Sequence, residues 1–204
     1  MRQAKHKIIR PFDVAGIKTF NDVPQYIEST SSLWSAHYDW KSMGQWWDEN
    51  TAREEGIIIE LEPDFQRGHV WTEHQQISYV EHCLRGGSTG RVVYFNQKGS
   101  LHDSRVPYVL VDGLQRMTAV RKFMCSELKV FGGLTCDGMI QSSKFKKFPT
   151  QAQFFHIHVN NLQNDADVLA WYLEMNGGGT PHTQEELDRV YKLYLKAQKA
   201  TKSR

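Results

Sequence analysis

The stretch "YVLVDGLQRMTAVRKFM" (108–124) sets Asp112, Gly113, Gln115 and Arg116 where an apolar run gives way to a helical pattern. These types at this spacing suit chemistry on a phosphate. A glycine directly after a buried strand lets the backbone turn sharply, with no Cβ in the way. The residues that follow open a helix whose free N–H groups and positive dipole end face the space above the strand end. Such a helix start accepts phosphate. Gly113, Leu114, Gln115, Arg116 and Thr118 are therefore candidate phosphate contacts. Arg116 adds a planar, bidentate grip on phosphate oxygens. Asp112 can hold a metal ion or accept a proton from an attacking hydroxyl. The same letters also suit a plain turn, since Asp-Gly is a common turn pair and Asp caps helices.

Two further stretches carry related residue types. In "ELEPDFQRGHVW", the carboxylates Glu60, Glu62 and Asp64 close a short strand and Gln66 and Arg67 follow. Gln66 and Arg67 suit contacts to a nucleotide's phosphates, and Glu62 or Asp64 suits orientation of an attacking oxygen; a surface loop with a solvated ion pair uses the same letters. In "EMNGGGTPHTQEEL", Asn176 precedes three glycines, which lets backbone approach a ligand closely or simply joins two helices.

Aromatic and basic residues supply a third set. Trp34, Trp40, Trp46 and Trp47 fall within fourteen positions, beside Tyr38. Trp46 and Trp47, with Trp71, are candidates to stack a nucleobase; capping a core edge is the alternative. Lys144, Lys146 and Lys147 suit DNA phosphates or a solvated face. His156 and His158 form a lone His-X-His pair, read as ordinary same-face strand residues.

The elements that must position these side chains can be read from period and punctuation. Helices are expected over "DVPQYIESTSSLW" and "KSMGQWWDEN", after an extended arm over residues 1–20. "GIIIELEP" reads as a β-branched strand ended by Pro63. Thr72 reads as the N-cap of a helix over "EHQQISYVEHCLRGG", closed by Gly86 and Gly87. "GRVVYFNQKG", "YVLVDG" and "FFHIHVNNL" read as strands, the second apolar enough to be buried on both faces. "LQRMTAVRKFMCSEL" and "NDADVLAWYLEMN" read as helices, and residues 137–153 as irregular and basic. A last helix starts near Thr183, with Leu187, Val190, Tyr191, Tyr194 and Leu195 on one apolar stripe. Alternating strands and helices predict one core around a mixed α/β or α+β sheet with surrounding helices.

Bulk properties limit the choice of function only mildly. The chain has 204 residues, enough for one domain with a sizeable core. Apolar residues make up 40% and the formal net charge is +2, so composition names no partner. Three cysteines without a Cys-X-X-Cys pair argue against a disulfide framework or structural zinc and fit a reducing, cytoplasmic setting. No apolar run approaches the ~20 residues of a membrane helix, and the basic N-terminus lacks a signal peptide's apolar segment.

Together, "PDFQRGHVW", "VDGLQRMTAV" and "EMNGGGTPHTQEEL", in that order, resemble the GmrSD N-terminal-domain family of the ParB/sulfiredoxin superfamily, with its DGQQR signature. Here the signature reads Asp112-Gly113-Leu114-Gln115-Arg116. The family's first-motif arginine falls on Arg67, after Gln66 and before Trp71. Its late Asn with a Gly-Thr-Pro turn falls on Asn176, Gly179, Thr180 and Pro181. Leu114 departs from the first Gln of the signature, and His182 stands where the family has an apolar residue. The resemblance covers roughly residues 57–195. It divides the chain into an N-terminal arm and Trp-rich segment (1–56), a ParB/sulfiredoxin-like nucleotide domain (57–195) and a basic tail (196–204).

The resemblance implies a nucleotide site at the strand-to-helix turn, ATP or GTP with Mg2+ as cofactors, and phosphoryl transfer or hydrolysis as the activity. Restriction enzymes of the family carry a further His-Asn-His nuclease domain, and no such motif occurs in this sequence. The expectation is therefore a phosphotransferase acting on DNA, similar to kinases of hydroxymethylated bases in phage DNA hypermodification, in the host cytoplasm if phage-encoded. A nucleotide-hydrolysing DNA-binding or restriction component, or a nuclease, is the alternative.

Overall fold

A computed structural model describes residues 10–26, 32–51, 59–66, 68, 70–99, 106–142, 153–176 and 183–202. These residues form a mixed five-stranded sheet and six α-helices. The α+β class expected from the sequence is the observed one. In chain order the elements are β1 (Ser32–Asp39), α1 (Trp40–Thr51), β2 (Ile59–Glu60), α2 (Glu73–Leu84), β3 (Val92–Asn96), β4 (Tyr108–Asp112), α3 (Leu114–Met124), α4 (Cys136–Ser142), β5 (Phe154–Asn160), α5 (Asp165–Asn176) and α6 (Gln184–Lys202). The sheet order is β1-β5-β3-β4-β2, with β2 parallel and β3 antiparallel to β4. Among the described residues no helix is long and apolar enough to cross a membrane.

The described residues fall into two compact units. One takes in Trp34–Val159 and the other draws on Met1–Leu33 and Asn160–Arg204. In the first unit, α3 turns Met117, Val120 and Phe123 into the core. Trp40 meets Phe123 edge-on at 6.2 Å and Phe155 at 6.4 Å. Each such large side chain, fully withdrawn from water, contributes about 1.5–3 kcal/mol. In the second unit, α5 is buried over most of its length, from Ala166 to Leu173, and α6 presents Leu187, Val190 and Tyr194 to the interior. The Tyr194 hydroxyl donates to the Pro11 carbonyl at 2.8 Å.

Local chemistry fixes the helix starts. Thr72 and Gln75 form a reciprocal capping box on α2: Gln75 N–H donates to Thr72 Oγ1 at 3.3 Å and Thr72 N–H to Gln75 Oε1 at 2.9 Å. Thr183 and Glu186 repeat the arrangement at α6. Asp39 caps α1 by accepting from the Ser42 N–H and hydroxyl. Burial alone would raise the Asp39 carboxyl, but these bonds outweigh it and hold the group below its ordinary value.

Two expectations about elements are corrected. The helix read over "DVPQYIESTSSLW" gives way to strand β1 from Ser32. Trp34, Ala36 and Tyr38 alternate with the more exposed Ser35 and His37, which is the period of a half-buried strand and not of a helix. Residues 137–142, part of the stretch expected to be irregular over 137–153, belong to α4, with the Thr135 hydroxyl accepting from the Gly138 N–H at 3.2 Å. Its Cys136 is buried, and burial pushes the thiol up to about 11.

Candidate functional site

The strand-to-helix turn at the end of β4 is built around Gly113. Its φ of 123° lies where side-chain-bearing residues rarely go. A Cβ there would lie 2.8 Å from Cγ1 of Val93, which is fully buried. Conformation and space both demand glycine. The first helical bond of α3 runs from Met117 N–H to the Gly113 carbonyl at 3.0 Å, and no side chain caps the helix. The N–H groups of Leu114, Gln115 and Arg116 therefore precede the hydrogen-bonded ladder. Leu114 is 4% exposed, so its side chain belongs to the core and only its backbone faces the turn. Thr118 is half-buried in the same helix.

Asp112 and Arg116 are four residues apart and form an ion pair, with Arg116 donating to Asp112 Oδ2. The Arg116 side chain is 17% exposed and that of Asp112 38%. The more enclosed arginine is held from behind. A Cβ on Gly90 would sit 3.7 Å from Arg116 Cδ and 3.3 Å from the Tyr79 ring. The Tyr79 hydroxyl donates to the Gly90 carbonyl at 2.8 Å. Burial pushes the Tyr79 hydroxyl well above its ordinary range, with Cys83 adding to the effect and the Arg116 and Arg91 charges opposing it. Tyr79 therefore stays protonated and donates. The Trp71 ring lies 5.5 Å from Tyr79 and extends this wall.

Two glutamine amides lash the Gln66–Trp71 loop to the turn. Gln115 Oε1 accepts from Val70 N–H at 2.9 Å and Trp71 N–H at 3.0 Å, and its Nε2 donates to the Gly68 carbonyl at 3.2 Å. Gln66 Nε2 donates to the Val111 carbonyl at 2.7 Å and, more weakly, to that of Leu110 at 3.2 Å. Both side chains, read from sequence as nucleotide contacts, hold protein backbone here. Because β2 and β4 run parallel, with Glu60 opposite Val109, their carboxyl ends point the same way. Glu60, Glu62 and Asp64 are exposed at the end of β2. Carboxyl ends of parallel strands are a common place for ligands in α/β sheets.

Of the other sequence candidates, some belong to the second unit, some have partners elsewhere and some are not described. Asn176 ends α5 in the other unit and donates to the Tyr172 carbonyl at 2.8 Å. Arg67, Lys144, Lys146, the Gly-rich 177–182 stretch and the Trp46 side chain lie outside the described residues. Trp47 lies on α1, with the Arg121 guanidinium 5.5 Å from its ring centre. Among the described residues no group of three or more His, Cys, Asp or Glu side chains stands close enough to hold a metal ion by itself.

Sequence reasoning missed Tyr79, Gly90 and Val93. The "GSTGR" turn carried a signal for Gly90, since it packs two glycines around a strand start. Nothing in the letters marked Val93 as the reason for Gly113. No family model matches the chain, and neither a curated protein nor a solved structure matches it.

Proposed function

We propose that the chain binds a nucleoside triphosphate at the Asp112–Arg116 turn and transfers its γ-phosphoryl group to a hydroxyl on DNA, most suitably a hydroxymethylated base. One observation carries the nucleotide part: a turn that only glycine can make delivers an arginine, a carboxylate and the unladdered N–H groups of α3 to one point. The resemblance of the Asp-Gly-Leu-Gln-Arg stretch to the DGQQR signature supports the same reading and is the basis for naming DNA.

The residues present fit a triphosphate with Mg2+. Magnesium usually takes one or two carboxylates and completes its shell with phosphate oxygens and water, so Asp112 suffices as the protein's share. When bound, the ion would neutralise charge on the phosphates. Arg116 exchanges its bond to Asp112 for phosphate oxygens. With the Leu114–Arg116 N–H groups it then stabilises negative charge on the group in flight. Glu62 or Asp64 orients the acceptor hydroxyl and takes its proton as the new O–P bond forms and the bond to the leaving diphosphate breaks. The Gln66 and Gln115 amides keep the flanking loop in register.

The test is incubation with γ-labelled ATP or GTP, Mg2+, and DNA with or without 5-hydroxymethyluracil. Label on the modified DNA alone is the expected result. Asp112→Ala and Arg116→Gln should each lower the rate by about 10²–10³-fold at unchanged melting temperature. Free phosphate with unlabelled DNA would replace transfer by hydrolysis, as in a nucleotide-gated restriction component. Cut DNA would point to a nuclease, and no turnover or nucleotide binding would sink the reading.

A further inference from the structure

One face of the sheet carries a row of rings that begins at the Asp112 turn. Asp112 stands opposite Tyr94 in the register of β4 and β3. The Tyr94 ring lies 5.6 Å from that of His158 on β5. Phe154, His156 and His158 follow at alternate positions and so share a face of β5. Phe155, Ile157 and Val159 between them are buried. His156 meets His37 of β1 at 4.6 Å, and His37 meets Phe154 at 4.9 Å. In the order β4-β3-β5-β1 the row crosses three strand spacings, about 14 Å. All of it belongs to the Trp34–Val159 unit.

The end of the row away from Asp112 is open and cationic. Phe154 is 39% exposed, and His37 is exposed. The Arg91 guanidinium lies over the Phe154 ring at 5.1 Å. Its Nε donates to the Gly87 carbonyl at 2.7 Å, and its Nη2 donates to the Cys83 carbonyl at 3.2 Å and to Gln153 Oε1 at 2.7 Å. These acceptors are neutral, so they fix the guanidinium without cancelling its charge. The two N–H groups of Nη1 are not among these donors. Asp39, two residues past His37, is turned to the start of α1, where it accepts from Ser42. Burial, with His37 and His158 beside it, holds His156 below its ordinary 6.5. At neutral pH it is therefore a flat, uncharged ring.

Flat rings in sequence, with an arginine whose charge is held but not cancelled, match bases carried on a phosphate backbone. Bases stack on aromatic faces whatever their identity, and a cation beside the rings takes the phosphates. A single strand offers its base faces, whereas a duplex keeps them stacked inside. We infer that this row binds single-stranded DNA, with bases on Phe154 and His37, a phosphate at Arg91, and the strand led along the row to Asp112. The choice of DNA rests on the acceptor proposed above; the stacking surface rests on the rings.

The probe is a fluorescein-labelled oligothymidylate of about twelve nucleotides, within the usual span of one single-strand site. It is titrated against the full chain by fluorescence anisotropy, without nucleotide or Mg2+. It should bind more tightly than its duplex with oligodeoxyadenylate. Phe154→Ala should weaken binding about tenfold, the scale of one lost stacking contact. Should that change unfold the chain, the exposed His37 decides: His37→Ala should weaken binding about fivefold, and His37→Phe should restore it. Arg91→Gln should lower the slope of log affinity against log salt by about 0.7, the share of one phosphate on a single strand. Unchanged affinity in the folded alanine variants, equal binding of the duplex, tighter binding of oligouridylate, or no binding below about 10⁻⁴ M would each overturn the inference. The titration contains no nucleotide, so the two readings fail separately. Ring-dependent binding without label transfer would sink the phosphotransferase and keep the surface; label transfer with ring-independent binding would do the reverse.

Discussion

Helix α3 is finished differently at its start and along its α1-facing flank. At the start, the polar side chains of Gln66, Asp112, Gln115 and Arg116 each have a specified partner. Gln115 holds three backbone groups, Arg116 holds Asp112, and the backbone at Gly113 has no room for a methyl group. Along the flank, Met117 to Met124 face an open groove beside α1, where a Cβ at Gly44 would meet nothing within 4 Å. Directional bonds fix atoms to tenths of an ångström, which phosphoryl transfer demands. Apolar contacts fix only that space be filled, so a missing side chain leaves a cavity and not a broken network.

The two glycines make this contrast measurable, because the same substitution should act with opposite sign. Gly113→Ala forces a side chain into a positive-φ position and against Val93. We expect a loss of about 3 kcal/mol or more, the sum of backbone strain and overpacking, read as a lowered urea midpoint. At Gly44 the same change should stabilise. A Gly113→Ala protein within ~0.5 kcal/mol of the parent, the usual spread of a surface substitution, would mean that Val93 yields and that the turn does not depend on glycine.

A smaller effect separates positioning from burial at the turn. Gln115→Ala removes three hydrogen bonds at once, and at ~0.5–1.5 kcal/mol each the cost should be about 2 kcal/mol. Hydrogen exchange at the Val70 and Trp71 amides should accelerate more than exchange in α3 itself. Gln115→Glu keeps the acceptor for both amides and loses only the donor to Gly68, so it should recover most of their protection. If alanine left the two amides as protected as before, the loop would be held by Gln66 and packing alone.

How much of this was legible follows from the same distinction. The turn could be read because Asp112-Gly113 after four apolar residues leaves few backbone solutions. Thr72 and Thr183 mark helix starts in the letters because capping is local chemistry, and the structure adds Gln75 and Glu186 as their partners. What failed to show was non-local. Gln115 looked like a ligand contact because its carbonyl and amine have no partner within five residues; the partners lie some 45 residues away. Leu114 departs from the family signature, and the fold gives its side chain a place in the core. β1 overlaps the end of the helix expected over 22–34, and the Trp34-Ala36-Tyr38 alternation that marks it as a strand continues beyond that stretch. The open space beside Gly44 has no signal in the letters, since only the three-dimensional neighbourhood shows that a Cβ there would meet nothing within 4 Å.

The smallest expected effect lies on the sheet, where like groups are packed together instead of complementary ones. The His156 ring is 4.6 Å from that of His37, which in turn is 4.9 Å from Phe154. His158 follows two residues along β5, and the Arg91 guanidinium lies over Phe154 at 5.1 Å. Burial lowers His156 from its ordinary 6.5, and His37 and His158 lower it further. The folded state therefore binds a proton at His156 less readily than the unfolded chain does. By linkage, the stability tied to this group is fully present above about pH 6.5 and is lost as pH falls through the lower, folded-state value. His156→Gln removes that titration while keeping a polar side chain of similar reach. Between pH 7 and pH 5, thermal unfolding of the variant should fall by about 2 °C less than that of the parent. Parallel curves would mean that His156 titrates alike in the folded and unfolded chain. The sheet's histidines would then be as ordinary as their His-X-His spacing suggests.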